Sequence, residues 1–380
     1  ETSSRNRSWI LSKTYCVAER ATPDLAFMRV LVILLSAIGD VVFASPLIEA
    51  IKRARPDAET FWLAESTVAP LLTHHAGHTE LLIWQREEWR KLFWRGRLWR
   101  VSREILSFRK KLRAHQFDLV LDVQGLLKSA VLAWMIGPRT QIGFRSKEPT
   151  AWLLTERVPK NLEPTISSEY RGLAKSIGLE TDEFSLTVPL SEAARGFAER
   201  FHDGRPYVVF CPFTTRAQKH WPETHWRSLA ETALEQGWRV VVLGAPADGL
   251  AAERIFTGHS VEDKVGACSL DESGALVSQS SLLIGVDTGL THMGWAFSVP
   301  VVALFGSTCP YREVPEREGD ILYAELHCSP CRRRPTCGGA FDCMSVLTPN
   351  AVINAAQRYS STESAFAPVL ASSETREEAL

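Results

Sequence analysis

The chain has 380 residues, of which 45% are hydrophobic and 23% charged, with a formal net charge of −1. This is the composition of a soluble globular protein, and nothing in the overall charge points to nucleic acid as a partner. The longest apolar runs, residues 30–35 and 299–305, are far too short to cross a bilayer. The length exceeds what one hydrophobic core usually supports, so two domains are expected.

Residues 1–27 are polar, with Arg5, Arg7, Lys13 and Arg20 and no apolar stretch of secretory-signal length, and read as a flexible N-terminal extension. Residues 29–35 form a continuous aliphatic run of strand length, followed by Ser36-Ala37-Ile38-Gly39-Asp40 and a helix-like stretch to 54. A short, wholly apolar strand that feeds a turn and a helix marks a buried parallel sheet. Further strands are expected at 60–64, 81–84, 118–123 and 141–143, with helices in the connections. The rhythm restarts at 207–210, 239–244, 282–286 and 300–305. Two successive α/β units imply two doubly wound domains, 28–187 and 207–359, joined by a linker at 188–206. Residues 360–380, rich in Ser, Glu and Ala without periodic apolar positions, read as a disordered tail.

Ligands of open α/β sheets gather beyond the carboxyl ends of the strands, so chemistry is sought in the loops that follow them. In the first such loop Gly39 permits a tight turn and Asp40 opens a helix; the carboxylate reads as a helix cap or as a general base for a hydroxyl nucleophile. In the second, Thr214, Thr215, Arg216 and Lys219 offer hydroxyl and cationic donors to a diphosphate, or form an ordinary polar loop ahead of the helix that opens at Pro222. In the third, Asp287-Thr288-Gly289-Leu290-Thr291-His292 brings a glycine, two hydroxyls and helix amides to a plausible anion cradle. His292 alone would more often be a packed core histidine.

Four of the eight cysteines, Cys328, Cys331, Cys337 and Cys343, fall within sixteen positions. In a reducing compartment such spacing suits a closed tetrahedral zinc or iron site of structural character, with a loop of free thiols as the alternative.

Taken in order, Arg29-Val30-Leu31-Val32 with Ile38-Gly39-Asp40, Asp122-Val123-Gln124-Gly125-Leu126-Leu127-Lys128, Thr214-Thr215-Arg216 through Lys219-His220-Trp221-Pro222-Glu223, Gly244-Ala245-Pro246 and Val286 through His292 resemble the heptosyltransferases of glycosyltransferase family nine. The N-terminal motifs are most similar to heptosyltransferase I, and the cysteine cluster looks more like heptosyltransferase II. The resemblance implies a GT-B fold and inverting transfer of L-glycero-D-manno-heptose from ADP-heptose to the Kdo or heptose of the lipopolysaccharide inner core, with no cofactor in the catalysis. It puts the catalytic base on Asp40 and the leaving-group cation on Lys219. Donor contacts fall on Thr214, Thr215, Lys219, Asp287, Thr288, Gly289, Leu290 and His292, and Asp248 falls near the ribose contact. Gly39 and Gln124 fall on the acceptor side.

Between Arg86 and Arg113 eleven Arg or Lys residues stand against three Glu, with Trp84, Trp89, Trp94 and Trp99 interleaved. Arg86, Arg90 and Arg97 are the acceptor-side candidates of this stretch, which suits a membrane interface or lipid A phosphates as well as a solvated helix face. The expected location is therefore the cytoplasmic face of the bacterial inner membrane. Two other classes remain: a GT-B enzyme or related epimerase using another sugar nucleotide, and a non-catalytic lipid-binding protein. A dinucleotide oxidoreductase is disfavoured because the first turn lacks G-x-G-x-x-G.

Overall fold

The computed structural model describes residues 29–360 apart from 151, 310 and 315–318, so the expected extension and, beyond Ser360, the expected tail lie outside the described residues. The first sheet contains β1 (Arg29–Ile33), β2 (Glu59–Glu65), β3 (Glu80–Trp84), β4 (Leu119–Asp122), β5 (Thr140–Phe144) and β6 (Glu156–Val158). Between these lie α1 (Ile38–Ala44), α2 (Pro46–Ala54), α3 (Arg86–Trp94), α4 (Leu98–Ala114) and α5 (Leu127–Ile136). Next come α6 (Ser168–Ser176) and α7 (Glu192–Phe201). The second sheet contains β7 (Val208–Cys211), β8 (Val240–Val242), β9 (Glu262–Asp263), β10 (Leu282–Val286), β11 (Val301–Phe305) and β12 (Gly319–Tyr323). Its helices are α8 (Glu223–Glu235), α9 (Gly249–Phe256), α10 (Leu270–Ser278), α11 (Gly289–Ala296), α12 (Asp342–Ser345) and α13 (Pro349–Ser360).

The strand orders are β3-β2-β1-β4-β5-β6 and β12-β11-β10-β7-β8-β9, with every named pair parallel. Each sheet is thus doubly wound, and its winding direction reverses at one place: between β1 and β4 in the first sheet, and between β7 and β10 in the second. Loops diverge there and leave a crevice above the strand ends.

Alternating side chains explain why the central strands are apolar throughout. Leu31 and Ile33 of β1 pack into one core layer, while Val30 and Val32 pack into another on the opposite face. In β7, Val208 and Phe210 face one layer and Val209 and Cys211 the other. The layer that contains Val30 and Val32 is continuous with the one that contains Val209 and Leu283, so a single apolar cluster joins the two sheets. Residues 188–206, read as a linker, carry α7: Ser191 caps it by accepting from the Ala194 amide at 3.0 Å and donates to Asp271 of α10 at 2.5 Å.

Candidate active site

The helices that follow the two switch-point strands meet: α1 of the first domain packs on α11 of the second. Both helices carry a glycine in the first turn at the point of contact, Gly39 in α1 and Gly289 in α11. A methyl group added to Gly39 would lie 2.5 Å from Cδ2 of His292, and one added to Gly289 would lie 2.3 Å from Cγ2 of Ile38. The contact continues through Phe43, whose ring centroid is 4.6 Å from His292 and 5.4 Å from Tyr311. The loop after β1 and the loop after β10 therefore meet, as a site built from both sheets requires.

On the first side, Gln124 bridges the crevice between β4 and β1. Its Oε1 accepts from the amides of Leu35 and Ser36 at 3.0 and 3.1 Å, and its Nε2 donates to the Ser36 carbonyl at 2.6 Å. These three bonds hold the turn that delivers Asp40. Asp40 lies in the first turn of α1, accepts from the Ala37 amide at 3.3 Å, and keeps its carboxylate open to solvent although protein surrounds it. That crowding raises its pKa above the usual carboxylate value. The Ala37 amide and the charges of Lys160 and His292 oppose the rise, and Glu169 adds to it. A carboxylate moved toward neutrality at a helix N-terminus suits a general base.

Beneath this turn, Asp122 is buried at the end of β4. Its Oδ1 accepts from the amides of Gln124 and Gly125, both at 3.2 Å, and its Oδ2 has no hydrogen-bond partner among the described residues. Burial pushes its pKa up to about 6 against the Ser129 hydroxyl and the two amides. The folded chain thus holds this proton more tightly than the unfolded chain does, and stability falls as pH rises from the ordinary carboxylate range through about 6. Asp122→Asn is expected to raise stability at pH 7 by on the order of 1–3 kcal/mol and to lose that advantage near pH 4, as read from melting curves at the two pH values.

On the second side, Asp287 ends the crevice between β10 and β7 and is buried. Lys219 donates to its Oδ2 at 2.6 Å, Thr308 also donates to Oδ2, and His292 Nε2 lies 3.2 Å from Oδ1. Burial alone would raise the Asp287 pKa. The hydrogen bond and charge of His292, together with the charge and hydrogen bond of Lys219, outweigh that and hold it well below the usual range. The other ring nitrogen of His292, Nδ1, lies 3.0 Å from the Tyr311 hydroxyl. Thr214 Oγ1 and Lys219 Nζ each reach the Asp287 carbonyl at 3.5 Å. Thr215 is exposed beside them, Thr288 directly precedes α11 with no capping bond from its side chain, and Leu290 packs on the shared core. The result is a cluster of cationic and hydroxyl donors at a helix N-terminus, an arrangement able to hold a phosphate.

The profile of glycosyltransferase family 9 (heptosyltransferase) matches residues 105–340. Lipopolysaccharide heptosyltransferase 1 of Pseudomonas aeruginosa is 30% identical over 82% of this chain and 87% of its own length. The chain belongs to glycosyltransferase family 9. Among solved structures, E. coli heptosyltransferase WaaC with ADP-2-deoxy-2-fluoro heptose is similar at 25% identity and a TM-score of 0.67, covering 87% of this chain and 99% of that one. E. coli ADP-heptose lps heptosyltransferase II shares the fold at 22% identity and a TM-score of 0.70, covering 89% of this chain and 100% of that one. The two facing sheets are the GT-B arrangement, and this family 9 member is a glycosyltransferase.

The remaining expected site residues are placed as follows. Asp248 accepts from the Ala245 amide at 2.8 Å and caps the turn after β8, next to β7 at the carboxyl edge of the second sheet. Arg86, Arg90 and Arg97 are exposed on the α3–α4 hairpin; Arg86 pairs with Glu65 at 3.4 Å and Arg90 with Glu87 at 2.6 Å. The expected zinc or iron site is not supported. Among the described residues no group of three or more His, Cys, Asp or Glu side chains is arranged to hold a metal ion, and the four cysteines of the cluster are free thiols. Cys343 is buried at the start of α12 with its sulfur against Gly306, whereas Cys328, Cys331 and Cys337 are half-exposed.

Four residues of the site were not singled out from the sequence: Lys160 and Glu169, whose charges act on Asp40, and Thr308 and Tyr311, which complete the Asp287–His292 network. Thr308 and Tyr311 follow β11 at the same sheet edge as the other loops, a positional signal that would have found them. Lys160 and Glu169, paired to each other at 2.5 Å, lie after β6 and in α6, where no motif marks them.

The Gly289 contact gives a direct test. Gly289→Ala is expected to push α1 and α11 apart and to lower kcat/KM by about 10- to 100-fold, because misplacement by about 1 Å is enough for such a loss. The overpacking should also cost about 1–3 kcal/mol of stability, and steady-state kinetics beside a thermal melt would check both.

Proposed function

We propose that this glycosyltransferase transfers L-glycero-D-manno-heptose from ADP-heptose to the inner core of lipopolysaccharide, with inversion at the anomeric carbon. The observation that carries the reading is the meeting of the two crevices at Gly39 and Gly289, which sets a carboxylate from one sheet against a phosphate-type donor cluster from the other. Membership of the heptosyltransferase family, and a solved relative holding a fluorinated ADP-heptose, favour heptose over other sugars.

In this reading residues 28–187 bind the acceptor and residues 207–359 bind the donor. The acceptor hydroxyl attacks the anomeric carbon, and Asp40 takes its proton as the new C–O bond forms. The bond from the anomeric carbon to the β-phosphate oxygen breaks, and its electron pair leaves with ADP. Lys219, Thr214, Thr215 and the first amides of α11 meet the charge that develops there. Asp287 and His292 position Lys219 and the turn at Thr288, Gly289 and Leu290, and Asp248 is placed for the nucleoside end. Gly39 lets α1 approach the donor side, while Gln124 fixes the loop that carries the base. No helix among the described residues is long and apolar enough to cross a membrane. The reading places the enzyme at the cytoplasmic face of the inner membrane, held there by the basic, tryptophan-rich α3–α4 hairpin.

The test is ADP release with ADP-heptose and two acceptors, one ending in Kdo and one already carrying heptose. Release that depends on either acceptor supports the reading and identifies the acceptor. Acceptor-dependent turnover only with a different nucleotide sugar would replace the donor.

A further inference from the structure

A second concavity of the first domain lies between the α3–α4 hairpin and α5. It is a groove of about 610 Å³. Trp84, Trp89 and Ile105 form one wall, and Leu127, Val131 and Met135 the other. Its aromatic wall is braced from within: Trp84 meets Trp89 edge-on at 5.9 Å, and Trp89 meets Phe108 at 5.5 Å. Only Lys128 and Glu148 bring charged groups to the lining, where Lys128 donates to Glu65 at 3.2 Å and the Leu127 amide donates to Glu148 at 2.5 Å.

We propose that this groove binds an acyl chain of the lipid-linked acceptor. The lining of the groove is almost wholly apolar, which suits a hydrocarbon chain as its occupant. Charge chooses the occupant. The hairpin that forms one wall carries eleven Arg or Lys residues against three Glu, so the apolar slot sits beside a cationic face suited to an anionic headgroup. Shape argues for a single chain rather than a flat bilayer. Residues that would enter a bilayer protrude, as Trp94 and Trp99 do at the hairpin tip with exposures of 78% and 62%, whereas Val131 and Met135 are half-buried in a concave surface. The groove is also joined to the chemistry. Its second wall, α5, begins three residues after Gln124, the side chain that clamps the loop bearing Asp40. An acyl chain held there ties the lipid end of the acceptor to the domain that supplies the base. The inference rests on the lipopolysaccharide acceptor proposed above, and its test has a readout that does not depend on turnover.

The experiment compares wild-type protein with Val131→Phe, which fills the groove, and Val131→Glu, which makes it polar. Binding is read by quenching of tryptophan fluorescence with monomeric 9,10-dibromostearate, since Trp84 and Trp89 line the groove. Saturable quenching is expected in the wild type, weakened at least tenfold in both variants. In turnover, both variants should show a KM about tenfold higher for the acylated acceptor with kcat unchanged, and the wild-type KM for a fully deacylated acceptor. Quenching that the Val131 variants leave intact, or a wild-type KM indifferent to acylation, overturns the proposal while the heptosyl reading stands. Variant-sensitive quenching by a protein that turns over no lipopolysaccharide acceptor overturns the acceptor assignment instead, leaving a groove for other acyl chains.

Discussion

Asp40→Asn is expected to lower kcat by about 10²- to 10⁴-fold, the range that a positioned general base supplies, with little change in donor KM. Asparagine keeps the size of the side chain and an oxygen for the Ala37 amide, so the turn before α1 survives and only the proton acceptor is lost. The same residue sets the acid limb of the pH profile. Activity should fall as pH drops through the Asp40 pKa, which protein crowding holds above the usual carboxylate range. Lys160 is one of the charges that hold that pKa down, so Lys160→Gln should move the acid limb to higher pH. A profile that stays in place, or an asparagine variant within tenfold of wild type, would remove Asp40 from the role of base.

Lys219→Gln is expected to lower kcat/KM by about 10²- to 10³-fold, as for the loss of one preorganised donor to developing negative charge. The ammonium is held at 2.6 Å by Asp287, itself fixed by His292 and Thr308, so little reorganisation is needed when the diphosphate leaves. Removing the lysine also deprives a buried carboxylate of one of its cationic partners, a change of the kind that destabilises by several kcal/mol. The double variant Lys219→Gln with Asp287→Asn separates the two effects. It should recover most of the melting temperature and none of the activity, a strongly non-additive pair. Recovery of turnover in the double variant would show that Lys219 serves only to neutralise Asp287.

The central strands were legible because they are buried on both faces: RVLVI of β1 and VVALF of β11 admit no helical stripe or polar alternation. The rule that places ligands at strand ends directed attention to the loops that carry Asp40, Lys219 and Asp287. Of the edge strands β3 was expected, whereas β6, β9 and β12 escaped notice. β6 (ERV) and β9 (ED) are short and polar, and take their extended form from pairing with β5 and β8 rather than from their own pattern. The influence of Lys160 on Asp40 arises across 120 positions of sequence, and no local spacing carries it. The cysteine spacing sets only how far apart the thiols are along the chain, and among the described residues no group of side chains is arranged to hold the expected metal.

The most direct test is the mass of the acceptor after incubation with ADP-heptose, measured together with the ADP released, for wild type and Asp40→Asn in parallel. The account predicts that the wild type adds one heptosyl unit to the acceptor for each ADP, and that the variant adds almost none in the same time. ADP release without a gain in acceptor mass, or equal gain by both proteins, would contradict it.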